Sequence, residues 1–159
     1  LLLHFGILSS TMHNAWVRAV CGRLESRYRY SAAIVYNNFP WPFSTQNSES
    51  KTAPAQAQQA QAAIEKEAQA ILDARAQFPG SSLADLYDPL TMPPLLLKAH
   101  QKLDAAVDAA YALGTGGHSG KKTWKTDAER VAFLFERYVQ LTSLLPAPKA
   151  KPARKRPAP

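Results

Sequence analysis

Leu1 to Leu8 is an apolar run broken only by His4 and Gly6. A run this short, followed by Ser9-Ser10, predicts a buried strand. It is too short to span a bilayer, and it lacks the basic flank and cleavage site of a signal peptide. Ser9 or Ser10 then caps a helix through Val20, with Met12, Trp16, Val17 and Val20 on one face, and Gly22 ends it. Aromatic and β-branched residues from Tyr28 to Tyr36 predict a strand in which Ile34 and Tyr36 alternate against Val35. Phe39-Pro40-Trp41-Pro42 must leave any sheet, because neither proline has an N–H to donate.

The pattern changes at Ser44. Residues 44–54 are polar and predict an exposed linker. Residues 55–76 are mostly Ala, Gln, Glu and Lys, good helix formers, with Ile64, Ala68, Ile71, Leu72 and Arg75 near helical spacing and Pro79-Gly80 as a stop. Ser82-x-x-Asp85 has the form of a capping box and opens a short helix to Tyr87. Pro93-Pro94 starts the next helix, with Leu96, His100, Leu103, Val107 and Ala110 on a stripe. Gly114 to Gly120 predicts a loop. Thr126-x-x-Glu129 caps a last helix whose core face carries Val131, Leu134, Phe135, Tyr138 and Leu145. From Pro146 onward Pro, Ala, Lys and Arg dominate, the composition of a disordered basic tail. The fold class is therefore mainly α: a small helical bundle over residues 55–145, preceded by an α+β remnant over 1–43. Its apolar stripes are modest and rich in alanine, so the bundle is expected to pack on a larger protein.

Charge sharpens this division. The 159 residues carry a formal +7, distributed as +3 over residues 1–43, −1 over 44–145 and +5 over 146–159. Positive ends around a neutral middle favour a polyanionic partner. A single cysteine, Cys21, rules out a disulfide framework and a thiolate metal cluster, and fits a reducing cytoplasm. His4, His13, His100 and His118 lack metal-ligand spacing and read as structural. Gly114-Thr115-Gly116-Gly117-His118-Ser119-Gly120-Lys121 fails as a phosphate loop: its glycine spacing is too long and Lys122 replaces Ser or Thr. Glu49-Ser50-Lys51 has nuclease spacing but no upstream Asp, so it reads as linker. Beginning Leu1-Leu2-Leu3 without Met, the sequence reads as a fragment of a longer protein or as a misplaced gene start.

The chemistry concentrates between Ser9 and Pro42. Arg18, Arg23, Arg27 and Arg29 lie among Trp16, Tyr28, Tyr30, Tyr36, Phe39 and Trp41, with Glu25 the one acid. Such interleaving suits a surface that holds phosphates and reads bases. An Arg can bond guanine O6 and N7, and a Glu can accept from cytosine N4. On an extended segment Glu25 and Arg27 would point the same way and together read one C·G pair, with Arg29 beside them. The simpler reading is a surface ion pair. Arg18 and Arg23 suit phosphate contacts or the dipole at a helix C-terminus. Trp16, Tyr36, Phe39 and Trp41 suit stacking on bases but read first as packing residues.

The order Ser9-Ser10-x-Met12-His13-x-x-Trp16-x-Arg18-x-Val20-x-Gly22-Arg23-Leu24-x-Ser26, then Tyr30-Ser31 and Val35-Tyr36-Asn37-x-Phe39-Pro40-x-Pro42, resembles the end of the target-recognition domain in MmeI-like (type IIL) enzymes. These are single-chain DNA adenine methyltransferases, many with a restriction nuclease. Phe78-Pro79-Gly80, Ser82 to Pro89, Met92-Pro93-Pro94, Ala99-His100 and Leu103-Asp104 resemble the same family's C-terminal segment, so the resemblance spans roughly residues 5–142. It implies base recognition by Glu25 and Arg27, to which the spacing adds Arg29; Arg18, Arg23, Tyr30 and Ser31 are the expected backbone contacts. It further implies double-stranded DNA and the N-terminal domains of the same polypeptide as partners, with no membrane. S-adenosylmethionine would serve the parent enzyme, with no cofactor, metal or catalytic residue in this segment. Asn38-Phe39-Pro40-Trp41 departs from the Asn-Pro-Pro-aromatic motif of adenine methyltransferases, with Phe39 in place of the first proline. The competing reading is a noncatalytic helical module that binds RNA or an acidic protein.

Overall fold

The computed structural model describes residues 1–43, 54–113 and 124–143. Helix α1 (Leu2–Ser9) and helix α2 (Thr11–Val20) lead into a hairpin of β1 (Gly22–Leu24) and β2 (Arg27–Arg29). One π-helical turn, Ala32–Tyr36, follows. Helix α3 (Pro54–Ala76), the short α4 (Leu83–Leu86), α5 (Pro94–Leu113) and α6 (Asp127–Thr142) complete the described chain. The expected linker (44–54, except Pro54), the Gly114–Gly120 loop, Leu145 and the basic tail lie outside the described residues.

The first segment is a helix, not the expected strand. A short apolar run does not distinguish the two by period, and leucine favours helix. Gly6 sets how closely α1 approaches its neighbours. A Cβ there would come within 2.8 Å of Ile64 and 3.2 Å of Ala68 and Leu103. Helix α1 thus packs its Gly6–Ile7 surface into the seam between α3 and α5.

Helix α2 begins as expected: Ser10 Oγ accepts from the His13 N–H at 3.3 Å. Its end differs. Cys21 leaves the helix in extended backbone, and Gly22 is already the first residue of β1. The expected Tyr28–Tyr36 strand shrinks to Arg27–Arg29, because the backbone after Ser31 coils into the π turn. Val35 is then fully buried, and its carbonyl accepts from Trp16 Nε1 at 3.1 Å.

In α3, Ile64, Ala68, Ile71 and Ala74 form the buried face, while Leu72 is exposed. They meet Leu96, Leu103, Val107 and Ala110 of α5. The Ser82–Asp85 capping box is reciprocal, as expected. Thr126 caps α6 by accepting from the Glu129 N–H. The core face of α6 is rotated from the expected one: Phe133 and Leu134 are buried together with Arg130 and Arg137, whereas Phe135 is exposed and Val131 and Tyr138 are half-buried. Residues from both ends of the chain share one core, with Trp16 and Phe39 packed beside Tyr111 and Phe135.

Candidate nucleic-acid interface

Residues 22–30 are all exposed and form the hairpin with its immediate exit. The pairs are Gly22 with Arg29, Arg23 with Tyr28, and Leu24 with Arg27. Side chains alternate along a strand, so Arg27 and Arg29 share one face with Leu24 and Gly22. Arg23 and Tyr28 occupy the other face, where the Arg23 guanidinium lies 4.7 Å from the Tyr28 ring centre and donates to its hydroxyl at 3.2 Å. Gly22 leaves open space opposite Arg29, because a Cβ there would meet nothing within 4 Å.

Glu25 does not sit on an extended strand as the sequence predicts. It is the first residue of the two-residue turn Glu25-Ser26, with φ of 58°, a left-handed conformation costly for a residue with a Cβ. The turn nevertheless brings it to Arg27, whose Nη2 donates to Glu25 Oε2 at 3.2 Å. The pair is open to solvent, at 82% and 74% side-chain exposure for Arg27 and Glu25, so a partner can replace its bond without uncovering a buried charge.

The residues expected to contact phosphate are dispersed. Arg18 pairs with Asp127 in the first turn of α6 at 2.7 Å. Arg23 stacks within the hairpin. The Tyr30 hydroxyl turns to His13 Nε2 at 3.2 Å. Ser31 precedes the π turn, and its carbonyl accepts from Val35. Trp16 and Phe39 are buried, so their rings pack rather than stand free for bases.

The body holds the hairpin's flanks with residues that sequence reading missed. Asp104 of α5 accepts from both the N–H and the hydroxyl of Thr11, at the start of α2. Tyr111 donates to the Pro40 carbonyl at 3.1 Å. Arg137 donates to the carbonyls of Trp41 at 2.8 Å and Pro42 at 3.0 Å. Burial pushes the Tyr111 hydroxyl well above its ordinary value, so it stays a neutral donor. Arg137 shares a helical face with Phe133, Leu134 and Arg130, and a charge on such a face is the one sequence signal for this clamp. Arg130 in turn pairs with buried Asp108 at 3.3 Å. Among the described residues no group of three His, Cys, Asp or Glu side chains could hold a metal ion, and no helix is long and apolar enough to cross a membrane.

The exposed β ribbon thus presents Arg27 and Arg29 on one face of a mainly helical fold. Residues 1–43 match the family model described as MmeI, target recognition domain, and residues 55–146 match MmeI, C-terminal domain. The chain belongs to the MmeI family. It is 39% identical over 137 residues to DNA methyltransferase A of Bacillus subtilis (strain 168), covering 86% of this chain and 13% of that protein. It is also similar to the solved type IIL restriction-modification enzyme MmeI in complex with DNA, at 52% identity and a TM-score of 0.73, over 91% of this chain and 17% of that one. The chain thus corresponds to less than a fifth of either relative.

Proposed function

We propose that this chain is the base-reading and DNA-clamping part of a site-specific adenine-N6 DNA methyltransferase, one that can also carry a restriction nuclease. The observation that carries this reading is the exposed hairpin with Glu25 bonded to Arg27 and with Arg29 on the Arg27 face. A two-stranded ribbon fits the major groove, about 12 Å wide, where Arg and Glu have distinct base partners. The relative at 52% identity was solved with DNA. Arg27 bonds guanine, Glu25 accepts from its cytosine partner, and Arg29 reads or holds the adjacent position. Arg23, on the opposite face of the hairpin, and Ser31, just beyond it, are the candidates for phosphate contacts, Arg18 sits at the body, and the Tyr30 hydroxyl has a second role argued below.

Methyl transfer belongs to other parts of the polypeptide, which works in the cytoplasm on double-stranded DNA. S-adenosylmethionine does not fit the described residues: their only strands form one hairpin, with no strand, Gly-rich turn and helix in succession. The test is to map methylated sites for the full-length enzyme carrying Glu25→Lys with Arg27→Asp. Lys donates to guanine and Asp accepts from cytosine, so the enzyme should prefer G·C where it required C·G, with every other position unchanged. Unchanged specificity at normal activity would reduce the pair to a surface ion pair.

A further inference from the structure

We propose that His13 is a positioning residue for the base-reading hairpin, acting through the hydroxyl of Tyr30. This inference rests on the proposed reading of bases by Glu25 and Arg27.

The hairpin has little else to orient it. Its strands are three residues each and fully exposed. The side-chain bonds of Arg23 to Tyr28 and of Arg27 to Glu25 stay within it. Among the described residues, the bond from Tyr30 Oη to His13 Nε2 ties its side chains to the helical body. Tyr30 follows Arg29 directly, one residue beyond the end of β2. Fixing Tyr30 against His13 therefore holds the end of β2 in the register that keeps Arg27 and Arg29 on the face opposite Arg23 and Tyr28. A slip of one residue would exchange the two faces and move both arginines to the side now held by Arg23 and Tyr28.

His13 is built as a rigid post. It is 3% exposed, and its ring meets Phe39 edge-on with centroids 4.5 Å apart. Phe39 belongs to the segment whose carbonyls Tyr111 and Arg137 hold, so α5 and α6 brace the post. Nδ1 has no hydrogen-bond partner among the described residues, which leaves Nε2 to make the imidazole's polar contact. Burial lowers the His13 pKa to about 4, so the ring is neutral at physiological pH.

The experiment measures hydrogen exchange of residues 22–30, and methylation of duplexes varied at each base, in the full-length enzyme. Tyr30→Phe removes only the hydroxyl. It should speed hairpin exchange about fivefold, the loss of one ordinary hydrogen bond, with α3 and α5 unchanged. Discrimination at the base pair read by Glu25 and Arg27 should fall by a similar factor. His13→Leu should act alike, and the double variant should be no worse than either single one. His13→Gln, whose amide nitrogen reaches the position of Nε2, should restore both readouts. If His13→Leu fails to fold, Tyr30→Phe decides alone. Unchanged exchange in Tyr30→Phe overturns the positioning role. Faster exchange with unchanged discrimination overturns it as well if Arg27→Ala abolishes discrimination. If Arg27→Ala also leaves discrimination intact, the base-reading proposal fails, and exchange still judges whether His13 holds the hairpin.

Discussion

Asp104 caps a helix to which it does not belong. It sits in the middle of α5, yet it takes both the N–H and the hydroxyl of Thr11, at 2.7 and 2.5 Å, at the first residue of α2. A carboxylate at a helix N-terminus satisfies an otherwise free donor and complements the dipole. Here it also fastens the recognition end of the chain to the C-terminal helices. Asp104→Ala should lower unfolding stability by about 1–2 kcal/mol. Urea titration checks this, and Asp104→Asn should lose less, since its amide oxygen still accepts one bond.

Arg137 has a comparable role at the other flank. Within Phe39 to Pro42 the Trp41 N–H serves the Phe39 carbonyl, and the carbonyls of Pro40, Trp41 and Pro42 take their donors from α5 and α6. Arg137 supplies two of these contacts while its own charge is lowered in pKa by burial, with the Tyr111 hydroxyl nearby. Arg137→Met should cost roughly 2–4 kcal/mol, because two carbonyls lose their donor. Arg137→Lys should recover only part, since a single ammonium cannot reproduce the fork geometry. Thermal melts of both variants would show whether lysine suffices, which would contradict the clamp.

Much of this arrangement was legible locally. The caps at Ser10, Ser82 and Thr126 and the stripes of α3 and α5 follow from residues near in sequence. The contacts that locate the site join distant residues, such as Thr11 with Asp104 and Trp41 with Arg137, and no periodicity encodes them. The α1 run is too short for its period to tell helix from strand, while the close approach at Gly6 depends on Ile64, about sixty positions away in the chain. The β-branched and aromatic residues from Tyr28 to Tyr36 give no sign of the π turn, in which Val35 is buried and its carbonyl accepts from Trp16. Glu25 and Arg27 carry complementary chemistry in the sequence, but the turn that joins them rests on a left-handed backbone that glutamate does not signal.

Two buried groups oppose each other in their effect on pH stability. Burial lowers His13 from 6.5 to about 4, so between those values the unfolded chain holds a proton the folded one lacks. Stability from this group rises with pH across that window. His100, also lowered by burial, acts in the same direction. Burial raises Asp108 from 3.8 to about 6 despite Arg130, so there the folded chain holds the extra proton and stability falls as pH rises. Asp108→Asn should therefore make stability climb more steeply between pH 4 and 6, by up to about 1.4 kcal/mol per pH unit. The slope is diagnostic even though unpairing Arg130 lowers the whole curve. Denaturant titrations at several pH values would reject the assignment if the slope did not change.

Glu25 occupies a position where its side chain is a local liability. A φ of 58° suits glycine, and a residue with a Cβ pays roughly 1–2 kcal/mol to hold it. The pair it forms with Arg27 is too exposed to offset that strain. The fold thus gives no reason for glutamate here, whereas the proposed base reading would. Glu25→Gly separates the two. The hairpin should form as well as before, because relief of strain roughly balances the greater freedom of glycine in the unfolded chain. Discrimination at one base pair should fall by roughly 1–3 kcal/mol, the worth of one good base contact. Glu25→Gln should also lose discrimination, since the amide retains an acceptor but gives up the charge that cytosine N4 meets. Hydrogen exchange across residues 22–30 and methylation of duplexes altered at a single position provide the two measurements. Normal exchange with lost discrimination supports the reading role. Lost exchange protection in Glu25→Gly would instead make the glutamate a structural part of the turn.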